Sequence, residues 1–354
     1  MEGSGRSVRA PAHVDAPSHY DVQRDRRRTF IERWRERRQE VIRPSDVDIA
    51  TIAPGVLRGG YLGTDAGRPT RLVDCAVHRL DAGAVTAAHR HSWDAVLFVL
   101  SGTGWTEVDG HRYAWKPWDA VHLPSWAAHR HGTDDPRGAE FLSFSSEPVF
   151  ETLGAAWMLA ADEPSPTAGA WPRVVAGGFA DARTSRLASA ARAAGGGRIH
   201  TDYDEIPLRP NAKGTRSKFL VDPSIGSGTS GLTMVMTQYG PGLWQAKHRH
   251  PGEAVLYVVE GRGHSYFGED VDGGTEYTWQ AGDLLVVDHF LWHQHFNDDP
   301  ERPARLLRVH LMETMLTTMQ ALLDPLPLLE EPPEEMAKAP DATVPDWPAD
   351  RRPE

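Results

Sequence analysis

The sequence holds one cysteine, Cys75, in 354 residues. No intrachain disulfide can form and a thiolate zinc site is excluded, so any bound metal must be held by His, Asp or Glu. No run approaches 18 consecutive apolar residues, which excludes a membrane-spanning helix. The first 40 residues are polar and Arg-rich, with no secretory apolar region. A soluble, cytoplasmic chain is therefore expected. Lysine is scarce, supplying five of the 38 basic residues, a bias too global to mark a site. Positive charge is in deficit: 49 acidic residues leave a net charge of −11, which argues against a nucleic-acid partner. The length suits two domains with full cores.

What is abundant is histidine. Eight of the 17 fall in four His-x-His pairs: His89/His91, His129/His131, His248/His250 and His293/His295. Residues i and i+2 of a strand share a face, so each such pair on a strand aims two imidazoles at one point. Imidazole is the commonest protein metal ligand, and three together suit zinc, iron, copper or nickel.

The pairs sit in a repeat. Residues 88–104 align with residues 247–263 without a gap; Gly83 and Gly242 each precede the first His by six residues, and Asp119 and Asp283 each precede the third by ten. The second copy is five residues longer, the extra length falling in a hairpin around residues 269–274. Residues 95–100 and 254–259 are short runs rich in Val and other apolar residues, bounded by Gly, and read as strands. Several short strands at this spacing suggest a small sandwich or barrel in each half.

Gly83, His89, His91 and Gly102, followed by Asp119, Pro124 and His129, resemble the two-part signature of the cupin superfamily. Gly242, His248, His250 and Gly261, followed by Gly282, Asp283, His293 and Asn297, resemble it again. The resemblance is to a bicupin and covers roughly residues 60–150 and 220–312. It implies an all-β chain of two tandem cupin (double-stranded β-helix, jelly-roll) barrels. With it we expect an N-terminal extension with a helix at 1–55, barrels at 56–150 and 216–323, a linker with a short helix at 151–215, and a disordered tail at 324–354. The helix is read over residues 20–42, with Phe30, Ile31, Trp34 and Val41 as a narrow apolar stripe. Further helices are expected at 184–194 and 312–323.

Most metal cupins add a Glu four residues after the second His; Ala95 and Ala254 stand there. Asp94 and Glu253 come one residue earlier, where strand alternation turns them away from the imidazoles. A neutral three-His site is expected in each half, from His89, His91 and His129 and from His248, His250 and His293. Glu253 reads as a solvated rim charge, although a bulge could return it to the site. His-Arg-His followed by Ala, with Trp292-His293-Gln294-His295-Phe296-Asn297 later, is similar to the gentisate 1,2-dioxygenase group. That group includes salicylate and 1-hydroxy-2-naphthoate ring-cleaving enzymes.

The resemblance implies Fe(II), with Mn, Ni, Cu and Zn as alternatives, and cleavage of a C–C bond in a hydroxylated aromatic bound together with O2. It gives His131 and His295 a role in hydrogen-bonding substrate or oxygen, beside the alternative of a supporting imidazole. It also implies a homo-oligomer. An Arg usual in that group, eight residues after the first ligand, is replaced by Leu97 and Leu256; Lys247, Arg249 or Arg216 could stand in for it. Tryptophans 93, 105, 115, 118 and 126 read as core, with a pocket wall as the alternative. Two other readings stay open: a metal-dependent tailoring oxygenase, lyase or isomerase, and a non-catalytic small-molecule-binding bicupin.

Overall fold

The computed structural model describes residues 18–164, 197–229 and 231–311. The helices expected at 184–194 and 312–323 and the tail at 324–354 lie outside them. Among the described residues no helix is long and apolar enough to cross a membrane.

The described residues up to Arg38 form one unit. Its helix His19–Arg37 starts at a capping box: the Ser18 hydroxyl accepts from the Asp21 N–H at 3.2 Å, and the Asp21 carboxylate accepts from the Ser18 N–H at 3.1 Å. No helix residue is buried, and Phe30 is 66% exposed. The helix ends before Val41, which was expected to extend its stripe. Val41–Ile42 is instead a strand pairing with Leu285 and Leu284, and it buries Ile42 completely.

The second unit, from Gln39 onward, contains two barrels of one design. The large sheet of the first runs His200–Thr201, Ala120–Leu123, Ala95–Ser101, Ala139–Ser145, Asp74–Leu80, Val56–Leu62, Ile49–Ala53. The second repeats that order with Val41–Ile42, Leu284–Val287, Ala254–Glu260, Ala304–His310, Thr233–Tyr239, Arg216–Val221 and Arg209–Pro210. The end strands are exchanged. Val41–Ile42 precedes the first barrel in the chain but edges the second, while His200–Thr201 precedes the second and edges the first. Each exchange covers an edge that would otherwise offer unpaired backbone groups. The smaller sheets carry His89–His91, His129–Gly132, Gly104–Val108 and His111–Trp115 in the first barrel, and Trp292–Asn297, Arg262–Gly268 and Thr275–Gln280 in the second.

Alternation along Ala95–Ser101 decides what faces what. Ala95, Leu97 and Val99 point inward and pack with Val108 and Trp115 of the small sheet. Val96 and Phe98 point the other way, into a core shared with Met234, Val255, Tyr257 and Leu307 of the second barrel. The large sheets are thus buried on both faces, and their strands read as nearly continuous apolar runs.

Glu253 follows the same geometry. It is 2% exposed rather than a rim charge, because the face opposite the imidazoles meets the other barrel instead of water. Its carboxylate accepts from the Thr70 hydroxyl and, at 3.4 Å, from the N–H groups of Arg71 and Leu72. Asp94 mirrors it, accepting from the Ser125 N–H at 2.9 Å and from the Thr229 hydroxyl at 3.4 Å. Burial pushes the Glu253 carboxyl up from 4.5 to about 7. A carboxyl that holds its proton more tightly when folded stabilises the fold below pH 4.5, and that contribution is lost as pH rises through about 7. The shift corresponds to on the order of 3 kcal/mol. E253Q, which cannot ionise, should therefore gain stability relative to wild type between pH 5 and pH 8 in urea titrations. A wild-type-minus-variant difference that stays flat over this range would refute the assignment.

Candidate metal centres

Pairing of His89 with His129 across the small sheet brings the two halves of the first motif together. In the second barrel an isolated bridge joins His248 to His293. The ring centroids of His129 lie 4.3 Å from His89 and 4.7 Å from His91. Those of His293 lie 4.2 Å from His248 and 5.0 Å from His250. In both triads the nitrogens facing one another lie within 4.8 Å. Asp94 and Glu253 belong to neither group.

All six rings are held the same way. The Nδ1–H of His89, His91 and His129 donates to the carbonyls of Ala87, Trp93 and Ala127 at 3.0, 2.7 and 2.8 Å. That of His248, His250 and His293 donates to Ala246, Pro251 and Leu291 at 2.9, 3.1 and 2.9 Å. A carbonyl can only accept, so Nδ1 carries the proton and Nε2 keeps its lone pair. Burial pushes His91 down to about 4 and His129 to about 3, and holds His248, His250 and His293 well below the usual imidazole range. These five rings are neutral, yet the Nε2 atoms of His248 and His293 face each other at 3.1 Å. Two lone pairs at that distance call for a cation between them. Nitrogens bound at about 2.1 Å and at right angles on one metal ion would be about 3 Å apart. The donor set fits a metal.

His131 and His295 are set by a matching relay. The Trp115 indole N–H donates to the Thr106 hydroxyl at 3.0 Å, and that hydroxyl lies 3.0 Å from His131 Nδ1. In the second barrel Trp279 donates to Ser265 at 2.9 Å, and Ser265 lies 2.7 Å from His295 Nδ1. The indole occupies one hydroxyl lone pair; with the O–H directed to Nδ1, the imidazole proton sits on Nε2. Burial keeps both rings neutral, His295 down to about 3 and His131 well below its usual range. Of these residues only Trp115 was named from the sequence, and there as core; Thr106, Ser265 and Trp279 were not singled out. The visible signal was a Trp four residues before the Asp of each copy; the hydroxyls emerge only from the register, which sets Thr106 opposite His131 and Ser265 opposite His295.

Each triad opens into a cavity, of about 740 Å³ in the first barrel and 360 Å³ in the second. Ala95 and Leu97 line the first, Ala254 and Leu256 the second, so the positions lacking Glu and Arg do face the sites. Trp93 lines the first cavity and stacks on His91 at 4.7 Å, while Trp115 and Trp118 are buried as core. In the second, the Tyr239 hydroxyl donates to Gln245 Oε1 at 2.6 Å, which turns the amide nitrogen toward His248 Nε2 at 3.2 Å.

None of the three expected stand-in cations lines either triad's cavity. Lys247 donates to the Val271 carbonyl at 2.8 Å, and Arg249 lies over the Trp292 ring at 4.7 Å. Arg216 sits on its strand outside the lining. The cations that do line the second cavity are Arg209, Lys213 and Arg308, none of them singled out from the sequence.

A family model described as "Cupin domain" matches residues 76–145 and 235–310. A 5-aminosalicylate 1,2-dioxygenase of Comamonas sp is 42% identical over 82 residues, 23% of this chain and 22% of that protein. A 1-hydroxy-2-naphthoate 1,2-dioxygenase of Nocardioides sp. (strain KP7) is 23% identical over 297 residues, 78% of this chain and 70% of that protein. The chain's matches span 22–27% of the length of the first three such relatives. Among solved structures, a salicylate 1,2-dioxygenase from Pseudaminobacter salicylatoxidans aligns with a TM-score of 0.53 at 18% identity, covering 77% of this chain and 78% of that one. A deletion mutant of Bacillus subtilis oxalate decarboxylase aligns at 0.55 with 14% identity, covering 83% and 89%. At these identities the structural likeness is one of fold.

Proposed function

We propose that this chain, in which the cupin-domain model matches residues 76–145 and 235–310, is an Fe(II)-dependent dioxygenase cleaving a C–C bond of a hydroxylated aromatic or related small molecule. The observation that carries the reading is the duplicated set of three convergent imidazoles without a carboxylate. His89, His91 and His129 would hold one ion, and His248, His250 and His293 the other. Bound by three neutral ligands, Fe(II) would keep its full charge and open positions for substrate oxygens and O2. The backbone carbonyls behind each ring fix its direction. His131 and His295, as neutral Nε2–H donors lining the two cavities, would stabilise negative charge developing on bound oxygen. Ala95 and Leu97, with Ala254 and Leu256, leave room for an aromatic ring and keep one wall dry. The names of the relatives support ring cleavage.

A second reading has its own observation. Leu97 and Leu256 remove the usual anion clamp from that wall, which favours an oxygenase, lyase or isomerase acting on a less acidic molecule. One experiment separates them: metal analysis of protein made with iron, then oxygen-electrode assays against salicylate, gentisate, 1-hydroxy-2-naphthoate and uncharged hydroxyketones. We expect iron at up to two equivalents per chain and O2 uptake with at least one member. Iron-loaded protein that consumes no O2 with any of them would exclude the dioxygenase reading.

A further inference from the structure

The two cavities are built alike but lined oppositely, the first by carboxyls and the second by cations. The strands Ala139–Ser145 and Ala304–His310 occupy the same place in their sheets, as do Asp74–Leu80 and Thr233–Tyr239. Counted along each pair, Ser143 corresponds to Arg308 and Asp74 to Thr233. The register agrees, since Ser143 pairs with Leu97 and Arg308 with Leu256. The first cavity is lined by Asp65, Asp74 and Glu147 and by one cation, Arg58, which is tied to Asp65 at 2.9 Å. The second is lined by Arg209, Lys213 and Arg308 and by no Asp or Glu.

Arg308 is the unusual member. Its Nε is shut off from solvent without a hydrogen-bond partner, and among the described residues no ion pair or side-chain hydrogen bond engages its guanidinium. Burial lowers its pKa from the ordinary value, opposed by Tyr239 and by Asp222, which acts through space without forming an ion pair, and its charge helps to hold down His250, His293 and His295. An unpaired cation beside neutral imidazoles is costly to bury unless something negative arrives to meet it. A carboxylate does so best, because it accepts two parallel N–H bonds from the guanidinium fork.

We infer that the two sites are sorted by charge: the second-domain cavity takes a small carboxylate anchored by Arg308, with Lys213 as a further cation in its wall, and the first-domain cavity does not. This deepens the proposed function, on which it rests for the hydroxylated ring. The test reads binding under argon, where turnover cannot occur, so the two ideas fail separately.

Salicylate and its neutral counterpart salicylamide would be titrated calorimetrically into the iron-loaded chain and into its H89A, H248A and R308M variants. Salicylate should bind one site per chain at least tenfold more tightly than salicylamide, and that site should persist in H89A and vanish in H248A. R308M should weaken salicylate at least tenfold, leave salicylamide unchanged, and keep wild-type metal content; R308K should recover part of the loss. Three results would overturn the inference: no salicylate binding, equal weakening of both probes by R308M, or a salicylate site lost in H89A and kept in H248A. O2 consumption by the same preparations bears only on the dioxygenase reading.

Discussion

Replacing His129 or His293 with Ala is expected to release one metal equivalent per chain in each case, and the two together to release both. Each is the central ring of its triad, within 4.3 and 4.7 Å of its neighbours in the first barrel and 4.2 and 5.0 Å in the second. Each is buried, so no water shell can stand in for the lost nitrogen without opening the cavity floor. Supporting residues alone commonly change metal affinity by about 10–100-fold, and loss of a ligand should exceed that. The measurement is metal content after dialysis against a weak chelator, with O2 consumption beside it. The variant that abolishes uptake identifies the working domain. If both single variants keep their full metal content, the ion is held elsewhere.

Much of this was legible because it is periodic. A gapless repeat announces one module used twice, and i, i+2 alternation places both imidazoles of each pair on a common face. The same alternation sends Asp94 and Glu253 away from the triads, as expected, but it cannot say what lies on the far side. For a lone barrel that side is water; here it is the other barrel, where Glu253 meets Thr70 and Asp94 meets Thr229. Arg249 stands between two ligands in sequence and so faces outward, over Trp292. Arg308 lies 52 positions from Leu256, and only strand pairing reveals that they share a floor. Val41 reads locally as the end of a helix stripe because its partner, Leu285, is more than 240 residues away. Contacts made by register and by domain packing leave no periodic trace.

The relay behind the fourth histidines should matter nearly as much as the ligands, without touching metal content. T106V keeps the shape of its side chain and S265V adds one methyl group, and both remove the hydroxyl that receives the Trp115 or Trp279 N–H and addresses His131 or His295 Nδ1. The indole N–H is then buried without an acceptor, at a cost of about 1–3 kcal/mol. The imidazole also loses the donor that assigned its proton to Nε2, so the tautomer presented to the cavity is no longer fixed. In the working domain we expect kcat to fall by roughly 10–100-fold with bound iron unchanged, an effect of the size seen when groups that orient a site residue are removed. T106S and S265T, which return the hydroxyl, should recover most of the rate. A purely structural hydroxyl would lower the melting temperature in step with activity and leave kcat normal in the folded fraction. Full turnover in both T106V and S265V would show that the proton on His131 and His295 is set by something else.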